Sequence, residues 1–170
     1  MARVCDEHMG TTTGMVTGPQ LEAWQRLLRA NCIAMRTLDA QLQAGHGITI
    51  RDYDVLNALR GAEAGHLRMS DLSRRTMLTR SGMTRLVQGL ERDGFVERIA
   101  CPSDARVAWV KLSDGGRTRL EAARRTHHAG IRRLFADHLE DAEAEQLSEL
   151  LGRIPGVADG SDTACCGGNG

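Results

Sequence analysis

Apolar residues in the first third of the chain recur every three or four positions, which is the spacing of a helix. One such stretch runs from Gln20 to about Ala44 and predicts a long amphipathic helix. A second stretch follows Thr49 and predicts a shorter helix, with Gly45 and Gly47 between the two. The two apolar faces consist of Leu21, Trp24, Leu28, Cys32, Met35, Leu38 and Leu42, and of Tyr53, Leu56 and Leu59.

The middle of the chain predicts two short helices. Before them, Leu67–Met69 fits a single extended strand. Ser70 is a suitable N-cap for a helix that ends near Thr76, because its hydroxyl can accept a hydrogen bond from a free N–H of the first turn. Thr79 can cap the second helix in the same way, and Gly94 closes that helix. Its apolar face consists of Met83, Leu86, Val87 and Leu90.

Two segments after these helices predict a β-hairpin. Phe95–Ile99 alternates apolar and charged residues, and Ala108–Leu112 is rich in β-favouring side chains. Between them, residues 101–104 (Cys-Pro-Ser-Asp) supply turn-forming side chains. The fold class is therefore expected to be mainly α-helical with a small β-hairpin.

The last third of the chain predicts two further helices. Ser113 can cap a long one, and a final helix is expected from about Asp141 to Ile154. The apolar stripe of the long helix consists of Leu120, Ala123, His127, Ile131 and Leu134. Residues 1–18 and 156–170 lack helical periodicity, so we expect flexible tails at both ends.

Composition narrows the class of protein. Aromatic residues make up only 3% of the chain, so the core is expected to consist mainly of Leu, Ile, Val, Met and Ala. No apolar run is long enough to span a bilayer, and Asp6, Glu7 and His8 interrupt the N-terminal stretch where a signal peptide would be apolar. We therefore expect a cytoplasmic protein without a membrane partner. Its five irregularly spaced cysteines fit reduced thiols better than a disulfide framework.

The distribution of charge is uneven, although the whole chain is formally neutral. Between Leu67 and Leu112, nine basic and five acidic residues give a net charge of +4. A basic segment within an acidic remainder is the asymmetry that a DNA-binding module needs.

Motifs within this basic segment follow one another in a specific order. Residues 72–75 (Leu-Ser-Arg-Arg) and 79–87 (Thr-Arg-Ser-Gly-Met-Thr-Arg-Leu-Val) have the pattern of a helix-turn-helix, and residues 91–98 that of its exit and of a first wing strand. The spacing D-x-R-x5-L-[ST]-x-x-G is matched by Asp104, Arg106, Leu112, Ser113 and Gly116. With residues 53–56 (Tyr-Asp-Val-Leu), these motifs resemble the winged helix-turn-helix of the MarR family from about Gln20 to Ile154.

The resemblance implies the organisation and the partners of the protein. Residues 19–155 would form the winged helix domain, with a DNA-binding module at about 48–112 and dimerisation helices at about 20–44 and 113–154. A homodimer would place two recognition helices about one DNA turn apart on a pseudo-palindromic double-stranded operator. The function implied is sequence-specific transcriptional regulation by a repressor that a small-molecule effector releases, without a cofactor and without enzymatic activity.

The resemblance and the charge pattern together nominate the residues that contact DNA. Arg85 is the candidate for base readout, because arginine can donate to both O6 and N7 of guanine. In the wing, the family pattern implies that Asp104 orients the loop and that Arg106 enters the minor groove. Ala105 departs from the family, in which many members carry a second wing arginine there. The remaining candidates are Arg68, Ser70, Thr79, Arg80, Ser81, Thr84, Gln88, Arg98 and Lys111.

An effector pocket and a thiol sensor are further interpretations. The resemblance implies a pocket between the dimerisation helices and the winged module, for which the candidate lining residues are Trp24, Leu28, Met35, Tyr53 and Leu56. Cys32 lies on an apolar stripe, which favours a buried structural cysteine, and Cys101 fits a turn. A thiol- or metal-responsive repressor of the same fold remains the alternative. No strong metal-ligand spacing is present, and an enzyme that uses either thiol lacks a recognisable base and oxyanion donors.

Overall fold

Helices and one small sheet make up the part of the chain that the structure, a computed structural model, describes: residue 16 and residues 18–76, 78–100 and 108–157. The elements in chain order are α1 (Pro19–His46), α2 (Ile50–Arg60), β1 (His66–Arg68), α3 (Met69–Arg75), α4 (Arg80–Arg92), β2 (Val96–Ala100), β3 (Ala108–Leu112), α5 (Asp114–Leu134), a 3-10 turn (Ala136–His138) and α6 (Asp141–Gly152). The predicted wing turn with Cys101, Asp104 and Arg106, and nearly all of both predicted tails, lie outside the described residues.

The protein divides into two compact units, and the boundary lies within α1. The first unit comprises residues 1–33, and its described part is the N-terminal half of α1. Most of its large apolar side chains are exposed: Leu21, Trp24, Leu27, Leu28 and Ile33. The second unit comprises residues 34–170 and contains the buried core.

Side-chain caps define the beginning of several helices, as the sequence predicts. Thr49 Oγ1 accepts a hydrogen bond of 3.1 Å from Asp52 N, and Asp52 Oδ2 accepts one of 2.8 Å from Thr49 N, which together form a capping box. Thr79 accepts from Gly82 N, and Ser113 accepts from Gly116 N. Both predicted caps at these positions are confirmed.

The prediction that Ser70 caps α3 is wrong. The helix begins at Met69, and its N-cap is Arg68, which is also the last residue of β1 and makes no side-chain capping hydrogen bond. Pairing with β3 keeps the backbone extended as far as Arg68, with φ −71° and ψ 150°. The strand therefore passes directly into the helix and leaves Ser70 within the first turn.

The sheet has three antiparallel strands in the order β1-β3-β2, which are the predicted hairpin and the strand predicted at Leu67–Met69, observed at His66–Arg68. β2 and β3 pair as expected, and Leu67 of β1 faces Val110 on the free edge of β3. This third strand attaches the hairpin to the start of α3, so that the wing strands and the helix-turn-helix form one module.

The core is built almost entirely from aliphatic side chains. Leu42, Leu56, Leu72, Met83 and Val110 are completely buried and join α1, α2, α3, α4 and the sheet. Tyr53 is the single aromatic side chain among the buried hydrophobic residues of the described chain. The prediction of an aliphatic core is thus confirmed, and this core packs α4 against the sheet.

Candidate nucleic-acid interface

α4 presents a polar face opposite its buried face. Met83, Val87 and Leu90 are 3% exposed or less, which fixes the rotation of the helix about its axis. The opposite side of the helix and its N-cap carry hydroxyl, guanidinium and amide groups. Thr79, Arg80, Ser81, Arg85 and Gln88 are exposed, and Thr84 is half-buried. Guanidinium, amide and hydroxyl groups are the kinds of side chain that read base edges in a major groove.

A cleft beside the start of α4 brings several predicted contact residues together. Its volume is about 290 Å³, and α3, α4, β2 and β3 form its walls. Two guanidinium groups and three hydroxyl groups line it, together with apolar atoms: Met69, Ser70, Ser73, Arg80, Thr84, Arg98 and Ala108. Arg80 and Ser70 are the donors suited to anions such as phosphate oxygens, because Ser73 and Thr84 donate to Met69 O and Arg80 O and Arg98 pairs with Glu91. Ser73 did not emerge from the sequence reasoning, although it lies three residues after Ser70 on the same helix.

Ion pairs divide the basic residues of the module into two groups. Arg98 pairs with Glu91 at 3.1 Å, Lys111 with Glu97 at 2.7 Å and Arg92 with Asp93 at 3.6 Å, and Arg74 pairs with Asp71. Within the described part of the chain, the exposed basic residues of this module that form no ion pair are Arg68, Arg75, Arg80 and Arg85. Arg75 is thus exposed and outside these ion pairs, whereas Arg98 and Lys111 have acidic partners.

The outer face of the sheet carries a stacked pair next to these cations. The rings of His66 and Trp109 are 4.3 Å apart with an interplanar angle of 18°. Trp109 Nε1 is buried and has no hydrogen-bond partner among the described residues, and Arg68, which faces Trp109 across the strands, is exposed.

The exit of α4 explains part of the sequence signature. Gly94 has φ +76°, and Ser113 Oγ donates a hydrogen bond of 2.6 Å to its oxygen. Ser113 N donates to Phe95 O at 3.1 Å, and a Cβ atom at Gly116 would lie 1.9 Å from that same oxygen. Ser113 and Gly116 of the signature therefore bind the start of α5 to the end of α4.

The five residues predicted for an effector pocket have different environments. Tyr53 and Leu56 are 4% and 0% exposed and belong to the core, whereas Trp24, Leu28 and Met35 are exposed. His127 stacks on Tyr53 with 4.3 Å between the ring centroids. Burial raises the pKa of Tyr53, and burial followed by the charge of His128 lowers the pKa of His127. The pocket stays a prediction.

The expected burial of Cys32 is wrong for the single chain, because the thiol is exposed on α1. Leu21, Trp24 and Leu28 of its apolar stripe lie in the first unit and are exposed as well, whereas Leu38 and Leu42 lie in the second unit and are buried. In the described ranges, no group of three His, Cys, Asp or Glu residues could hold a metal ion. Within the same ranges, no helix combines the length and apolarity needed to cross a membrane.

Comparison with known proteins agrees with this geometry. Residues 46–107 match the sequence profile of the MarR family. The HTH-type transcriptional repressor YetL of Bacillus subtilis is 30% identical over 111 residues, which cover 65% of this chain and 66% of YetL.

Two solved structures from Streptomyces coelicolor are similar along most of their length. The MarR family transcriptional regulator AbsC has a TM-score of 0.79 and 30% identity, with 87% of this chain and 99% of AbsC covered. The MarR family regulator Sco3205, solved in complex with DNA, has a TM-score of 0.76 and 29% identity, with 80% and 88% covered. This chain therefore belongs to the MarR family of DNA-binding transcriptional regulators.

Proposed function

We propose that the protein is a homodimeric repressor that binds a pseudo-palindromic operator and leaves it when a small-molecule effector binds. The observation that carries the proposal is the exposed polar face of α4, whose arginines Arg80 and Arg85 have no acidic partner among the described residues. The name of YetL as a repressor and the DNA complex of Sco3205 support the direction of regulation and the partner.

α4 enters the major groove, and the groups around it hold the backbone. Arg85 reads a guanine, and Thr79, Ser81, Thr84 and Gln88 complete the reading face. Arg80 and Ser70 bind a phosphate at the cleft beside the helix, and Arg68 binds the backbone nearby. In the wing, Asp104 orients the loop and Arg106 enters the minor groove, as the family pattern implies.

A second copy of the chain covers the exposed apolar side chains of the first and last helices. Trp24 and Leu28 are 54% and 48% exposed on α1, and Leu150 and Ile154 are 48% and 43% exposed at the C-terminal end. Exposed apolar side chains at this density on two helices are typical of an interface rather than of a monomer surface. Two-fold symmetry then matches a pseudo-palindromic operator.

The effector site is proposed between the dimerisation helices and the winged module, with Trp24, Leu28, Met35, Tyr53 and Leu56 as candidate lining residues. The MarR resemblance supports the location, and the partly exposed apolar residues among the five supply surface for an apolar ligand. An effector that binds only the DNA-free arrangement would shift the population away from the operator.

The test is selection of bound sequences from random DNA, followed by titration of the selected duplex with candidate ligands. We expect a pseudo-palindrome with half-sites about one helical turn apart, and a dimer in sedimentation at micromolar concentration. A stable monomer that binds DNA would contradict the dimer. Enrichment of no sequence at all would contradict the DNA-reading role of α4.

The exposure of Cys32 favours a second candidate, a thiol-responsive repressor. In that case mild peroxide would release the wild-type protein from its operator, and Cys32→Ala would make binding resistant. Release of neither protein would leave the small-molecule mechanism as the better account, and release of both would exclude Cys32 as the responsive thiol. Cys101→Ala serves as the parallel variant, because it tests the second candidate thiol.

A further inference from the structure

Arg119, in the second turn of α5, contacts the end of α1 and the exit of α4 at the same time. Its Nη1 atom donates a hydrogen bond of 2.8 Å to the main-chain oxygen of His46, the last residue of α1. Its Cζ atom lies 5.3 Å from the centroid of the Phe95 ring. The last carbonyl groups of a helix lack partners within the helix and carry partial negative charge, so a guanidinium group is favourable there. The aromatic ring binds the other side of the same cation.

Phe95 is firmly connected to the recognition helix. Its main-chain N donates to Leu90 O at 2.8 Å, and its oxygen accepts from Ser113 N at 3.1 Å. That oxygen also contacts Gly116 so closely that no side chain fits between them. A displacement of the C-terminal end of α4 must therefore move Phe95 as well.

The end of α1 and the middle of α5 form a single frame within the unit of residues 34–170. His46 Nε2 lies 2.7 Å from Thr126 Oγ1, which joins the two helices one to two turns beyond Arg119. Further along, Gly130 packs so closely on Leu38 and Gln41 that a Cβ atom would lie 2.5 Å and 2.7 Å from their side chains. Ser113 and Gly116 join the start of α5 to the exit of α4, and the Arg119 side chain adds a link from that exit to the end of α1.

We propose that Arg119 is a positioning residue that sets the orientation of α4 relative to the α1–α5 frame, and thereby the half-site spacing that the dimer accepts. The inference rests on the proposed function, because the orientation of α4 has this consequence only if α4 enters DNA. Arg119 itself contributes no phosphate contact. Its removal lowers the discrimination between spacings and leaves the salt dependence of binding unchanged.

The experiment compares the wild type with Arg119→Met and Arg119→Lys on three duplexes. One is the sequence selected by the wild type, and the others have one base pair added or removed between the half-sites, which shifts them by about 3.4 Å along the axis. The matched control is Arg117→Met, which removes an equal charge from an exposed position on the same helix. Each protein is also tested for its thermal midpoint and for the slope of log K against log salt.

We expect Arg119→Met to lose roughly three- to tenfold of the preference for the selected spacing, with an unchanged salt slope. Arg119→Lys should recover part of the preference, because its ammonium group can still donate to His46 O, and Arg117→Met should retain all of it. If Arg119→Met does not fold, Arg119→Lys tests the inference instead, by its affinity for the selected spacing relative to the altered spacings. An unaltered spacing preference, or an equal loss on all duplexes that follows the thermal midpoint, would overturn the inference while the proposed function stands. Failure of the wild type to select any sequence would overturn both.

Discussion

The ammonium group of Lys111 lies 2.7 Å from the carboxylate of Glu97, and the two residues face each other across β3 and β2. The pair neutralises a cation that the sequence nominates for phosphate contact. Arg80, by contrast, is exposed at the mouth of the cleft beside α4 and has no ion pair within the described residues. Sequence position alone does not separate these two basic residues.

The first prediction compares these two cations. The double variant Glu97→Gln/Lys111→Met removes the pair without a change in net charge, so the salt slope of operator binding should be unchanged. Arg80→Met should reduce the magnitude of that slope by about one per protomer, because one phosphate contact is lost. Titration of a single duplex at several salt concentrations gives both values. Equal reductions in the two proteins would assign a phosphate contact to Lys111.

The second prediction concerns base readout by Arg85. Arg85→Ala should cost about 1–3 kcal/mol per half-site on the selected operator and relax the preference at one base pair. Arg92→Ala is the matched control, since Arg92 lies on the same helix but pairs with Asp93. The measurement is the affinity for duplexes that vary at each position in turn. A uniform loss on all sequences would make Arg85 a backbone contact instead.

The third prediction concerns the wing and rests on the sequence signature. Arg106→Ala should weaken binding to selected and scrambled duplexes alike and reduce the magnitude of the salt slope by about one per wing. Ala105 offers no second arginine to replace it. Asp104→Ala should give a weaker version of the same loss, because the loop keeps its cation but loses the carboxylate that orients it. Unchanged affinity and slope in Arg106→Ala would mean that the wing does not touch DNA.

The fourth prediction is a stability change at the joint between α4 and α5. Gly116→Ala should destabilise the protein by about 1–3 kcal/mol, since the new Cβ atom would overlap Phe95 O and the backbone must move. Gly152→Ala is the control, because nothing lies within 4 Å of the Cβ position there. Urea denaturation at equilibrium gives both free energies of unfolding. A stable Gly116→Ala protein would show that the joint is less rigid than this close contact implies.

The fifth prediction is a pH dependence that comes from His127. Its pKa is lowered, first by burial and then by the charge of His128, so the unfolded chain takes up the proton more readily than the folded protein. The stabilisation is complete above about pH 6.5 and is lost as the pH falls through the lower pKa of the folded state. Asp54, whose pKa burial raises to about 6, acts in the opposite direction but equally in both proteins, so between about pH 7.5 and 5.5 the urea midpoint of the wild type should shift downward relative to that of His127→Phe, which can keep the stack on Tyr53. His138→Gln, which replaces an exposed histidine, is the control and should keep the pH dependence of the wild-type urea midpoint.

Local chemistry in the sequence determined most of the helices and the polar face of α4. Thr79 and Ser113 cap helices because a hydroxyl group and an N–H three residues later are close in any helix start. The spacing of Met83, Val87 and Leu90 likewise selects the buried side of α4, and so leaves Arg85 on the other side. These relationships span a few residues and need no tertiary contact.

The tertiary structure determined the strand pairing, the ion pairs and the burial that depend on residues far apart in the sequence. The sequence predicts an extended segment near Leu67, but only the fold pairs it with β3 opposite Val110, and that pairing displaces the predicted cap at Ser70. The acidic partners of Arg98 and Lys111 come from α4 and from the neighbouring strand, so only the fold separates paired cations from available ones. The exposure of Cys32 also depends on packing. Helical spacing shows that Cys32 lies on an apolar stripe, but only a packed neighbour would bury it.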